Sequence, residues 1–192
     1  YNSGTGTYTI TGASAGIDNN ATTDNCQIYG QTFTGDFDLI SKVSGPNVSN
    51  TSNERLGMVV RASSANNAVS AFVGFDTTPT VWAYWIRRTS SGGANASTTV
   101  NNNWTSATSW VRMVRAGSTV TGYISTNGTT WTQAGTMTLA GTVTAGLCWS
   151  SDRAATSGTA TFTNVSLAGS GTNVGPLVNA GTDQGIMLPA SA

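Results

Sequence analysis

Histidine is absent from the 192 residues, lysine occurs once (Lys42), and the only glutamate is Glu54. Without histidine there is no Ser-His-Asp or Cys-His catalysis, no His-ligated zinc and no imidazole pH switch. Charge is scarce. Only 8% of residues are charged, against roughly 25% in an average domain. Eight basic and eight acidic side chains give a formal net charge of +0. A nucleic-acid partner is not expected, because phosphate binding needs clustered Lys and Arg. No apolar run approaches the roughly 18 residues of a membrane-spanning helix, so membrane insertion is not expected either. A CxxC motif is missing, which argues against a thiolate metal or redox site. No signal peptide is visible at Tyr1, as fits a mature or trimmed chain.

What remains is abundant Thr, Ser, Gly and Asn, with 38% hydrophobic residues that include 6 Trp, 5 Tyr and 5 Phe. That is enough apolar surface to fill a core and places the chain outside the disordered class. The composition resembles that of exported surface proteins, so a secreted, extracellular or cell-surface location is expected. Cys26 and Cys148 are far apart in sequence. Paired, they would close a loop worth about 4–5 kcal/mol in the chain-entropy model; the alternative is two separate buried thiols.

The apolar period is two rather than 3.6, and no segment carries a helical stripe. Strands are expected over residues 8–11, 26–33, 37–44, 56–62, 69–75, 81–88, 110–115, 119–126, 130–134, 143–150 and 159–167. Gly, Asn, Ser and Pro clusters punctuate them. Thr34-Gly35-Asp36 reads as a break between the second and third strands. Asn127-Gly128 is a strong hairpin signal. Polar stretches at 14–24, 90–103 and 151–158 read as loops. Short strands at this spacing predict an all-β fold, an antiparallel β-sandwich or jelly roll. After Leu167 the composition shifts. Residues 1–168 form the expected sandwich, 169–175 a flexible linker, and 176–192 a segment too short to build a core.

Several motifs resemble a concanavalin A-like (LamG-like, DUF1349-like) β-sandwich module of secreted bacterial proteins. Thr34-Gly-Asp-Phe-Asp-Leu-Ile-Ser-Lys-Val43 is similar to its "GDFDxxxxV" strand. Gly57-Met-Val-Val-Arg-Ala-Ser63 is similar to a "GlmiRxS" strand. Trp110-Val-Arg-Met-Val-Arg-Ala-Gly117 and Gly122-Tyr-Ile-Ser-Thr-Asn-Gly-Thr-Thr-Trp-Thr-Gln133 resemble its Trp-bearing hairpin. The segment Pro176–Ala192 resembles the first strand of a PKD or Ig-like domain whose remainder is absent. The resemblance implies a multidomain exported protein. An isolated strand with Ile186-Met-Leu188 would pair with another domain or chain by strand addition.

Glycosidases generally need two positioned carboxylates. Asp36 and Asp38 share one strand face, but Asp36 also suits a tight turn and Asp38 a salt bridge, and no enzyme activity is expected. Sugar sites place aromatic faces against pyranose rings beside hydrogen-bonding groups. In Val81-Trp-Ala-Tyr-Trp-Ile-Arg-Arg88, alternation puts Trp82, Tyr84, Ile86 and Arg88 on one face and Ala83, Trp85 and Arg87 on the other. Both faces carry an aromatic and an arginine, so periodicity leaves the buried face open. The ligand-binding candidates are Trp82, Tyr84, Arg88, Trp104 (in a polar loop) and Trp149. Trp110 and Trp131 fall at hairpin positions that read as core. Arg61 and Arg112 read as structural arginines paired with acids. One structural calcium ion is expected from the class, with loop acids Asp18, Asp24 and Asp152 as ligands. The expected function is non-catalytic glycan binding by aromatic stacking. The rival expectation is a structural subunit of a surface layer, sheath or filament joined through 176–192.

Overall fold

A computed structural model describes residues 1–44, 54–76, 81–104 and 108–172. The segment 173–192, with the expected PKD-like strand and its pairing, lies outside the described residues. Eleven strands and no helix make up the described chain. They are β1 (Tyr8–Ser14), β2 (Gln27–Ser44), β3 (Arg55–Arg61), β4 (Ser70–Asp76), β5 (Trp82–Arg88) and β6 (Ala96–Asn101). They continue with β7 (Ser109–Ala116), β8 (Thr119–Ser125), β9 (Thr132–Thr138), β10 (Val143–Ser150) and β11 (Arg153–Thr172).

Pairing is antiparallel throughout. One layer runs β6-β5-β4-β3-β10 and ends on the first half of β2. The other runs β1-β11, then the second half of β2, then β7-β8-β9. The expected break at Thr34-Gly35-Asp36 is therefore not a chain reversal. The strand passes through it and changes partners, from β10 (through Phe33) to β7 (from Phe37). A strand crossing between layers forms a corner of the sandwich. A second correction concerns β6, inside the stretch read as a loop. It lies at the sheet edge with most side chains in water. With neither face buried, no alternation exists for a period-two reading to detect. Likewise 153–158 belong to β11, and that strand continues to Thr172, so residues 169–172 are strand where a linker was expected.

The core is built from alternate residues of both layers. Met58, Val60, Val73, Phe75, Ala145 and Leu147 meet Phe37, Leu39, Val111, Met113, Val120 and Ile124. Trp85 settles the orientation of β5. Its indole, 1% exposed, enters the core over Gly122 and Gly135, which face each other across β8 and β9. A Cβ at those positions would sit 2.6 and 2.4 Å from indole carbons. The paired glycines thus form a slot that a larger residue would close. With Trp85 inside, period two turns Trp82 and Tyr84 outward. Trp149 also faces inward, fully buried, with Nε1 donating to the Gly12 carbonyl at 3.3 Å. It belongs to the core and presents nothing to a ligand.

Candidate functional site

The outer face of the first layer carries two charged rows at its opposite ends. Strand register sets their composition. Arg55 lies opposite Asp76, which lies opposite Trp82; at the other end Arg61 lies opposite Ser70, which lies opposite Arg88. The segment joining β1 to β2 crosses this face, buries Ile17 against Ile28, Val59, Phe72 and Ile86, and delivers one aspartate to each row.

At the Arg61–Arg88 end the aspartate is Asp24. Its carboxylate accepts from Arg88 Nη2 at 2.8 Å, Arg88 Nη1 at 3.0 Å, Arg61 Nη2 at 3.2 Å, Ser70 Oγ at 3.3 Å and Asn95 Nδ2 at 2.8 Å. Arg88, 0% exposed, spends its remaining donors on the carbonyls of Gly93, Asn66, Ala68 and Ala21. The donors of Arg88 are all used internally, and the cluster is sealed from water. Arg88 is therefore a structural clamp on the surrounding loops and not the ligand donor expected. Asp24 is the hub of that clamp, and its carboxylate oxygens are taken by these internal donors.

The Arg55 end is built differently. Arg55 Nη1 donates to Asp18 Oδ1 at 3.1 Å, and its Nη2 lies 3.9 Å from Asp76 Oδ2. The guanidinium stands over the Tyr84 ring, 5.4 Å from its centroid, a cation–π contact. Tyr84 in turn packs on Trp82 with ring centroids 5.9 Å apart. Trp82 is 38% exposed and is the most accessible of the tryptophans singled out as binding candidates. Burial, followed by the Asp76 charge, raises the Tyr84 phenol and keeps it a neutral hydrogen-bonding group.

Asp152 joins this end from the two-residue link between β10 and β11. It adopts φ 54°, a left-handed conformation that aspartate tolerates better than most residues. Its backbone N–H donates to Ser150 Oγ at 3.3 Å. Gly16 makes room for the approach of Asp152 to Asp18. A Cβ on Gly16 would lie 2.5 Å from Asp152 Oδ1 and 2.7 Å from Asp18 Oδ2. Burial pushes the Asp152 carboxyl up to about 6, helped by the charges of Asp18 and Asp76 and opposed by Arg55. This end thus gathers the buried Arg55 and Asp76 with the partly exposed Asp18 and Asp152 and the tilted Trp82–Tyr84 ring pair.

The structure accordingly brings together four of the expected site residues: Trp82, Tyr84, Asp18 and Asp152. Sequence reasoning missed Arg55 and Asp76; their cross-strand register with Trp82 was the available signal. Trp104 lies elsewhere. It is half-buried against Phe75, ring centroids 4.9 Å apart, and its Nε1 donates to Ser109 Oγ at 2.9 Å. The loop tryptophan is anchored, while the strand tryptophan Trp82 is the open one. Trp110 and Trp131, expected in the core, are half-buried on the outside of the second layer. The Arg112 guanidinium lies 5.8 Å from the Trp131 centroid and holds Asp38 through two bonds of 2.8 and 2.6 Å. Asp36 accepts the Gly117 N–H at 2.7 Å, so Asp36 and Asp38 serve a turn and a salt bridge. Among the described residues no three Asp, Glu or Cys side chains gather as a metal-holding group. The expected calcium set of Asp18, Asp24 and Asp152 is split between the two ends.

A concavity lies away from this end, among β1, β2, β10 and β11. It encloses about 130 Å³ and is lined by Tyr8, Tyr29, Gln31, Leu147 and Leu167. That is small beside the roughly 300–1,000 Å³ of typical ligand pockets.

No family model matches the chain, and no curated protein does. Solved structures do resemble it. A functionally unknown protein from Saccharomyces cerevisiae aligns over 86% of this chain and 89% of its own, at 13% identity and a TM-score of 0.69. The alginate lyase from Corynebacterium sp. aligns over 87% of this chain and 78% of its own, at 10% identity and TM-score 0.54. The GH43 BlXynB protein from Bacillus licheniformis aligns over 80% of this chain but only 31% of its own, at 14% identity and TM-score 0.54. At such identities the likeness is one of fold, and that fold is the antiparallel jelly-roll β-sandwich of concanavalin-like kind.

Proposed function

We propose that the chain is a non-catalytic carbohydrate-binding module of an exported multidomain protein, and that it holds glycan at the Trp82 end of the first layer. The observation that carries this reading is the outward Trp82–Tyr84 pair beside Arg55, Asp18, Asp76 and Asp152. An exposed indole supplies a flat apolar platform for a pyranose face, and the partly exposed Asp18 and Asp152 carboxyls supply directional partners for its hydroxyls. The occurrence of the same fold in an alginate lyase supports glycan as the ligand class. The charge here selects further. Three carboxyls around one guanidinium repel a polyanion such as alginate, so the favoured ligand is a neutral polysaccharide. One small site binds modestly, and linkage to further modules would raise avidity.

Affinity electrophoresis against neutral and acidic polysaccharides tests the reading. Retardation by at least one neutral polymer, lost in Trp82→Ala, is the expected result. A chain that migrates unretarded through every polysaccharide gel would overturn it.

A further inference from the structure

We propose that Cys26 and Cys148 are joined by a disulfide that fastens the segment between β1 and β2 to the sheet beneath it. They are the only two cysteines in the chain. The fold carries them to the same spot from opposite ends of the sequence. Cys148 lies on the outer face of β10, opposite Ile28. Cys26 precedes β2 by one residue and, two positions from Ile28, shares its face. Their exposures are 1% and 0%. In the structure both are thiols, buried side by side in one apolar cluster.

Their surroundings suit a disulfide better than two thiols. Ile17, Ile28, Val59, Phe72 and Ile86 enclose them in an apolar cluster. The one strong donor at hand is Arg61, whose Nη2 approaches Cys26 Sγ at 3.7 Å. A bridged pair leaves no S–H group in that cluster and still offers sulfur to the guanidinium. The bridge would lie between the two charged rows and secure the segment that supplies Asp18 to one and Asp24 to the other. Complete burial places the chemistry before the segment closes over the sheet. With a small-molecule disulfide such as oxidised glutathione as oxidant, one cysteine thiolate attacks a glutathione sulfur and expels glutathione thiolate. The second cysteine thiolate then attacks the mixed disulfide at the protein sulfur and expels the second glutathione. Two protein thiols are oxidised, one glutathione disulfide is reduced, and the two protons given up by the cysteines are taken up by the two expelled glutathione thiolates, which become thiols.

The test is to refold the full chain in a glutathione redox buffer, quench it with iodoacetamide under denaturing conditions without reductant, and measure intact mass and peptide map. The expected result is a monomer two hydrogens lighter than the dithiol, unalkylated, with a peptide pair containing Cys26 and Cys148 that separates on reduction. Two carbamidomethyl groups on the folded monomer would overturn the proposal. So would recovery of the cysteines only in chain-to-chain links on a non-reducing gel. The Cys26→Ala/Cys148→Ala double variant adds a control: its denaturation midpoint should be indifferent to dithiothreitol, whereas that of the native chain falls. An equal response in the two would also count against the bridge.

Discussion

The two ends of the first layer's outer face use the same ingredients to opposite effect. Residues six apart on each strand, Arg55 and Arg61, Asp76 and Ser70, Trp82 and Arg88, furnish equivalent positions. At one end two arginines surround one aspartate; the carboxylate is saturated, water is excluded and the cluster behaves as core. At the other, one arginine stands among three aspartates, and the carboxyl farthest from compensation, Asp152, is driven upward. Burial of charge is tolerable only with complete pairing. The saturated end can close and serve stability, while the acid-rich end keeps Trp82, Asp18 and Asp152 in contact with water.

Breaking the saturated end has the largest expected effect. Asp24→Ala strands Arg61 and Arg88 in the interior and should cost about 3–5 kcal/mol, read as a fall in the urea midpoint. A change below about 1 kcal/mol would mean that water reaches the pair. Trp104→Ala should cost about 2 kcal/mol, less than a fully buried tryptophan because the indole is half-exposed. Its glycan retardation should persist; loss of binding in a folded protein would move the site to that loop. Trp82→Ala should reverse the pattern. Affinity should fall at least about tenfold, or about 1.4 kcal/mol, while stability stays within about 0.5 kcal/mol.

Asp152→Asn sharpens the comparison at the open end. The native carboxyl titrates at about 6 when folded and near the usual 3.8 when unfolded. Below both values each state is protonated and nothing is lost. As pH rises through the window from about 4 to 6, the unfolded chain releases its proton first, so the native protein loses stability. The loss is complete above pH 6 and, discounted for solvent screening of a half-exposed group, amounts to about 1 kcal/mol. The variant lacks this loss and, since asparagine accepts a left-handed backbone, should be more stable above pH 6. Parallel urea midpoints for the two proteins from pH 4 to 7 would refute the assigned environment.

Most of the fold was legible because the code for a half-buried strand is local. Alternation marked β3, β4, β5, β7 and β10, and Asn127-Gly128 marked the β8–β9 turn, where Gly128 takes φ 76°. The failures share a cause. β6 has no buried face to alternate against, and the Thr34-Gly35-Asp36 corner depends on which strands lie on either side. The site was half legible. Trp82 and Tyr84 were singled out as candidates, but the choice between the faces of β5 required a partner. Arg88 looked available until tertiary pairing placed it in the interior.

Composition and period two, by themselves, determined an all-β sandwich without histidine chemistry or a long apolar helical run. These are properties of single residues and near neighbours, and they need no knowledge of what lies across the sheet. Tertiary structure alone decided which indole is enclosed by Gly122 and Gly135, which aspartate is saturated, and that residues 26 and 148 touch. Those outcomes depend on contacts between distant segments, and burial, which sets the energy of every charge and ring here, exists only once those segments meet.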